Sequence, residues 1–213
     1  PRTVGRGDEL ADAVINREAA RRRRLLFVER VHPDSADSTG ATALQHVVGS
    51  AYRDADAAVD LLQAGADPNK LPSKSNVSLV ELALSTVADR LRIVQVLLNA
   101  GADPNHVAPH GRSLLHLAVT LHSARAVDML LARGAKVNQA DCEGVTPVMV
   151  AAESAPSSLV QALLDAGADT SLTNDAGETA CEIAAEWMNA EARSLLHPAP
   201  ATPVALATSP PRA

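Results

Sequence analysis

The sequence predicts an all-α repeat solenoid, a stack of helix-turn-helix units joined by β-hairpin fingers. The first sign is a nine-residue stretch, Leu130-Leu131-Ala132-Arg133-Gly134-Ala135-Lys136-Val137-Asn138, with close copies at 61–69, 97–105 and 163–171. Its glycines Gly65, Gly101, Gly134 and Gly167 stand 36, 33 and 33 residues apart, and a nearly fixed period of that size marks a repeat architecture. The second sign is a partner signature at 111–118, matched at 144–151 and more loosely at 40–47, 76–83 and 177–184. The third is composition: 46% of residues are apolar, yet Phe27, Tyr52 and Trp187 are the only aromatics. A core of Ala, Leu and Val suits thin, closely stacked helices and leaves no aromatic platform for stacking bases.

Each unit follows from its own residues. Two leucines close an apolar helical turn, and the glycine four residues after the first of them enters the left-handed region at little cost, so the helix ends there. Asp-Pro-Asn at 67–69 and 103–105 lacks one backbone donor and favours turn geometry, which swings the chain off the helix axis. In the partner signature Thr42, Ser78, Ser113, Thr146 and Thr179 open a short helix. Each hydroxyl is placed to cap a free backbone N–H, and Pro147 takes the first helical position.

In chain order, residues 1–7 are expected to lack fixed structure. Residues 8–15 read as a helix with Asp8 and Glu9 in its first turn, where the helix dipole favours acids. A second helix spans about 17–31, and 8–36 together make a degenerate N-terminal capping repeat. The run Arg21-Arg22-Arg23-Arg24 points to nearly all sides of that helix. At least one aliphatic stem must therefore lie along the core while the charge is solvated; the sharper alternative is a nuclear-import or anionic-partner patch. Residues 32–39 form the first finger.

Four fuller repeats follow at 37–69, 70–105, 106–138 and 139–171. The turns 49–56 and 85–90 are longer than their counterparts and should bulge outward, and the finger at 70–76 should be irregular. The unit 172–196 keeps Gly177-Glu178-Thr179 and Leu195-Leu196 but has a polar second helix, which suits a C-terminal capping repeat. Trp187 either covers the end of the core or marks a docking point, since tryptophan is enriched at binding hot spots. Residues 197–213, with five prolines among small side chains, bury too little apolar surface to order themselves. Pro200-Ala201-Thr202-Pro203 and Ser209-Pro210 match short ligand and phosphoacceptor patterns that arise often by chance.

The two signatures in register resemble the ankyrin repeat, whose pattern runs Gly-x-Thr-Pro-Leu-His-x-Ala, short helix, turn, a second helix ending Leu-Leu, then Gly-Ala-Asp-x-Asn. The resemblance covers roughly residues 8–196. It implies L-shaped stacked helix pairs, β-hairpin fingers and a concave face that binds protein. Carried over residue by residue, the freely varying finger positions are Lys74, Val107, His110, Arg112, Glu143, Val145 and Glu178, and those on the helices are Ser85, Thr86, Thr120, Leu121, Glu153 and Ser154. All but Ser85, Thr86 and Glu178 make up the expected partner-binding set. Val107, Val145 and Leu121 are apolar where the chain should be wet, and with His110 and Arg112 they outline a mixed apolar and basic centre in the third and fourth repeats. The resemblance also likens Asn69, Asn105 and Asn138 to sites of asparaginyl hydroxylation; their plainer role is a hydrogen bond across the turn. It gives His116 a local bond between neighbouring repeats.

Composition narrows the function. A net charge of −6 and a pI near 5.6 do not supply the basic face that releases counterions from nucleic acid, so nucleic acid is not an expected partner. Cys142 and Cys181 are too few and too far apart for a disulfide framework or a zinc site, which favours a reducing compartment, cytoplasm or nucleus. Cys142 stands between Asp141 and Glu143, whose charges disfavour a thiolate, and Cys181 is expected in the core. No run approaches the roughly 18 apolar residues of a transmembrane helix.

A phosphate loop, a nucleophile elbow and a His-Glu-x-x-His run are all missing, and His106, His110 and His122 have no companions at ligand spacing. The expectation is a monomeric, non-catalytic interaction module or adaptor with no cofactor or metal, binding a protein partner. Two alternatives are the targeting arm of a larger enzyme or ubiquitin-ligase adaptor, and a nuclear regulator acting through the arginine-rich helix.

Overall fold

The computed structural model describes residues 5–49, 54–71, 77–85 and 91–197. The bulged turns expected at 49–56 and 85–90, the irregular finger at 70–76 and the tail beyond His197 fall largely outside the described residues. Helices come in antiparallel pairs: α1 (Arg6–Ile15) with α2 (Ala19–Arg23), α3 (Ala43–Gly49) with α4 (Ala55–Gln63), and α5 (Leu79–Ser85) with α6 (Leu91–Asn99). Then follow α7 (Leu114–Thr120) with α8 (Ala124–Ala132), α9 (Pro147–Ser154) with α10 (Ser157–Asp165), and α11 (Ala180–Glu186) with α12 (Ala190–Leu196). The odd-numbered, inner helices stack each on the next along the chain, and the outer helices α4 to α12 do the same. One continuous core of Leu, Val, Ile, Ala and Met149 runs from Leu10 to Leu196, with no aromatic among the described buried residues.

The repeated glycines do what their position requires. Gly65, Gly101, Gly134 and Gly167 have φ of 96°, 90°, 82° and 87°. In the first, Gly65 N–H donates to the Leu62 carbonyl at 3.1 Å and Ala66 N–H to that of Leu61 at 3.0 Å, which closes the helix end. The asparagines that follow act between repeats rather than across their own turns. Asn69 Nδ2 donates to the Gly101 carbonyl (3.0 Å) while its Oδ1 accepts from Asp103 N–H (2.8 Å). Asn105 repeats this with Gly134 and Lys136, and Asn138 with Gly167 and Asp169. A ladder of side-chain amides thus ties each turn to the next.

The fingers are hairpins cut to their minimum. Single antiparallel bridges join Ala36 to Thr42, Val107 to Ser113 and Thr173 to Thr179. A carboxylate inside the turn replaces longer pairing: Asp37 Oδ1 accepts from the N–H groups of Thr39 (2.8 Å) and Ala41 (3.0 Å), and Asp141 Oδ1 from those of Glu143 (2.9 Å) and Val145 (3.0 Å).

Four expectations need correction. The helix begins at Arg6, within the start expected to lack structure, because Gly7 is buried so tightly that a Cβ there would lie 2.1 Å from the Ala36 carbonyl oxygen. The second helix is shorter than 17–31: α2 ends at Arg23 and widens into a π-helical turn, Arg24–Val28. Four of the five helix-opening hydroxyls accept from a backbone N–H, but that of Thr146 is buried without a partner. The N–H it would take, that of Met149, turns instead to the Thr146 carbonyl at 3.0 Å.

The arginine run is solvated at Arg21, Arg23 and Arg24, as expected of a cap, but at Arg22 the charged head is buried as well as the stem. Arg22 is 1% exposed, and its guanidinium grips Asp60 of α4 through Nη2 (2.7 Å) and Nε (3.1 Å) and reaches Asp54 at 3.4 Å. Arg23 also pairs with Asp60, Arg21 with Glu18 and Arg24 with Glu29. The whole run is satisfied within the chain, and the burial takes in the charged head rather than the stem alone.

Candidate functional site

At the third position of two inner helices, His116 of α7 and Gln45 of α3, a side chain forms a latch that aligns one finger with the next. His116 shows the full geometry: Nδ1 accepts from Ser113 N–H at 3.1 Å and, as the Nε2–H tautomer this implies, the ring donates to the Val145 carbonyl of the following finger at 2.9 Å. Gln45 repeats it, its Oε1 accepting from Thr42 N–H (2.9 Å) and its Nε2 donating to the Lys70 carbonyl (3.3 Å). The local bond between repeats assigned to His116 is therefore present.

Burial lowers the His116 pKa below its ordinary value, with Arg112 adding to the effect, while the Val145 bond and Asp141 oppose it. A depressed pKa in the fold means that the unfolded chain takes up the proton first. Stability from this group is complete above the unfolded pKa of about 6.5 and declines as pH falls below it. His116→Gln, which copies the Gln45 latch, should remove that part of the pH dependence; urea midpoints at neutral and mildly acid pH check it.

Finger tips are joined directly as well. Cys142 N–H donates to the His110 carbonyl and Asp175 N–H to that of Glu143, both at 3.0 Å. This ladder fixes His110 and Glu143 in line, both exposed. His110 takes a left-handed backbone, φ 69°, in a short 3₁₀ turn at Pro109–Gly111. Beside it Arg112 is mostly exposed, its Nε 3.8 Å from Asp141 Oδ2. Val107 is 37% exposed and Leu121, just past the end of α7, 47%.

The 33-residue register carries Thr120 to Glu153 and Glu186, and Leu121 to Ser154 and Trp187. These are two rows at the ends of successive inner helices. The fingers and helices meet in a hollow of about 240 Å³ lined by Arg112 and Thr120 from the expected set, together with Glu81, Ala108, Pro109 and Leu117 among others. Glu81 Oε2 is buried there without a hydrogen bond, 3.9 Å from His106 Nε2. The sequence reading missed Glu81, although its register with Gln45 and His116 marks it as a latch position.

Not every expected residue fits. Val145 is half-buried against the core, because its N–H and carbonyl are drawn in by Asp141 and its carbonyl also receives His116; it is not a wet apolar site. Glu153 is half-buried and Ser154 exposed, while Lys74 and Thr86 lie outside the described residues. Trp187 does not cover the end of the core: it remains 57% exposed. Among the described residues no group of three or more His, Cys, Asp or Glu is placed to hold a metal ion, and no helix is long and apolar enough to cross a membrane.

A family model described as ankyrin repeats (3 copies) matches residues 81–174 and 115–201, which together span more than half of the chain. Among solved structures, that of EF0377, an ankyrin repeat protein, matches with a TM-score of 0.76 at 24% identity, over 89% of this chain and 96% of its own. A chain of the complex between Bd0816, a predatory endopeptidase from Bdellovibrio bacteriovorus, and immunity protein Bd3460 matches with a TM-score of 0.71 at 21% identity, over 88% of this chain and 96% of its own. At these identities both likenesses speak to the fold.

Proposed function

Because this chain belongs to the ankyrin-repeat family, we propose that it is a non-catalytic module, monomeric and intracellular, that binds a partner protein through the face shared by its fingers and inner helices. The observation that carries the reading is the hollow where Arg112 of a finger and Thr120 of an inner helix meet over Leu117. It puts charged, polar and apolar groups side by side on a backbone held rigid by the finger and amide ladders. Preorganised surfaces of this kind bind without the entropic cost of ordering themselves. One of the two similar structures comes from a complex of two proteins, in keeping with a binding role.

No observation favours the arginine-rich helix as the binding surface: Arg22 is buried on Asp60, and Arg21, Arg23 and Arg24, though exposed, each have an acid of the same chain within 3.2 Å. The test is affinity capture from the source cell with the wild-type chain and with a variant carrying His110→Glu, Arg112→Glu and Leu121→Glu, both confirmed to melt alike. The expected result is a protein held by the first and lost from the second. Equal capture by both would overturn the placement.

A further inference from the structure

Charge is divided unevenly along the chain. Residues 139–196 carry ten acidic side chains against one cation, Arg193, whereas residues 1–138 carry fifteen against seventeen. The N-terminal part neutralises much of its charge in place, with Arg6, Arg21, Arg22, Arg23, Arg24 and Arg92 all paired to carboxylates. Among the described residues no ion pair forms within 142–196, so this end projects an uncompensated negative field.

An acidic surface by itself is a solvated surface, but here it coincides with exposed apolar groups. Trp187 is 57% and Met188 89% exposed. They directly follow Glu186 at the end of α11, and Trp187 continues the row of Leu121 and Ser154. Met188 also shares a hollow of about 580 Å³ with Ala184, Ala185, Ala190 and Arg193, roomy because three of those side chains are alanine. An exposed tryptophan is a hot-spot residue, and the excess of carboxylates at its end of the chain selects the charge of whatever covers it.

We propose that the C-terminal half of the groove face, with Trp187 beside Glu186, Glu153 one repeat back in the adjoining row and Glu143 on the preceding finger, docks a lysine- or arginine-rich segment of a partner protein that lays an apolar side chain on the indole. This rests on the protein-binding reading above and narrows the partner to a basic one. The same field repels nucleic acid.

Trp187 is the only tryptophan, so its emission reports on the site directly. The full chain is titrated with a synthetic lysine-rich peptide carrying a central leucine, and with its glutamate-rich counterpart. A saturable blue shift is expected with the first peptide and none with the second. Binding of the labelled lysine peptide, followed by anisotropy, should weaken by about tenfold or more in Glu143→Lys/Glu153→Lys/Glu186→Lys and in Trp187→Ala, and should weaken with salt.

Unmoved emission in large peptide excess, or equal affinity in the charge-reversed variant, would overturn the proposal. If that happens while capture of the cellular partner still depends on His110, Arg112 and Leu121, only the basic-partner inference falls and the groove reading stands. If capture is also indifferent to those three residues, both fall.

Discussion

Asp60→Ala should destabilise the protein by about 3–5 kcal/mol, the usual effect of removing one partner from a buried ion pair. The guanidinium of Arg22 is 1% exposed and loses both of its short bonds, at 2.7 and 3.1 Å, keeping only Asp54 at 3.4 Å. A buried charge between α2 and α4 is then left with only the longer Asp54 contact. The double change Arg22→Met/Asp60→Leu should recover most of the loss, because a buried pair and a well-packed apolar pair of similar volume are often nearly equivalent. Asp56→Ala, which breaks the exposed pair with Arg92 at 3.1 Å, is the control and should move the urea midpoint little. A similar shift in both single variants would mean that the Arg22 pair is not a buried one.

Gly111→Val should cost about 2–5 kcal/mol, combining the penalty for a left-handed L-residue with that for overpacking. The glycine has φ 79°, and a Cβ on it would stand 2.7 Å from the Cys142 nitrogen, on the backbone that donates to the His110 carbonyl. The two finger tips must therefore part. Gly134→Ala is the comparison, since φ there is 82° but nothing lies within 4 Å of the added carbon; it should show only the conformational penalty of about 1–2 kcal/mol. Equal losses at the two sites, by urea unfolding, would show that the finger contact contributes nothing.

What lies inside one repeat was legible in the sequence. The Leu-Leu pair with its glycine located the helix ends, Ser and Thr located most of the starts, and the latch of His116 followed from the resemblance to the ankyrin repeat. Contacts between units were harder, because their partners sit about one period away. The asparagines look like turn residues, and only the stack reveals that Asn69 reaches Gly101 and Asp103. Arg22 finds Asp60 across 38 residues, a pairing that no local pattern singles out.

The site divides in the same way. Arg112, His110 and Leu121 came from the resemblance to the ankyrin repeat, carried over position by position, and all three are exposed. Val145 was misjudged because its backbone, drawn in by Asp141 and His116, decides its burial, while its apolar side chain suggested only chemistry. For Trp187 the sequence left two roles open, a cover over the end of the core or a docking point; it stands at the close of an inner helix, in register with Leu121, and is 57% exposed.

The most direct measurement of the binding claim is photo-cross-linking in the source cell, with a photoreactive phenylalanine analogue placed at position 121 and, separately, at position 128 on the outer helix α8, where Asp128 is also exposed. The account predicts discrete protein adducts from position 121 and only background from position 128. Adducts confined to position 128, or the same adducts in equal yield from both, would contradict it.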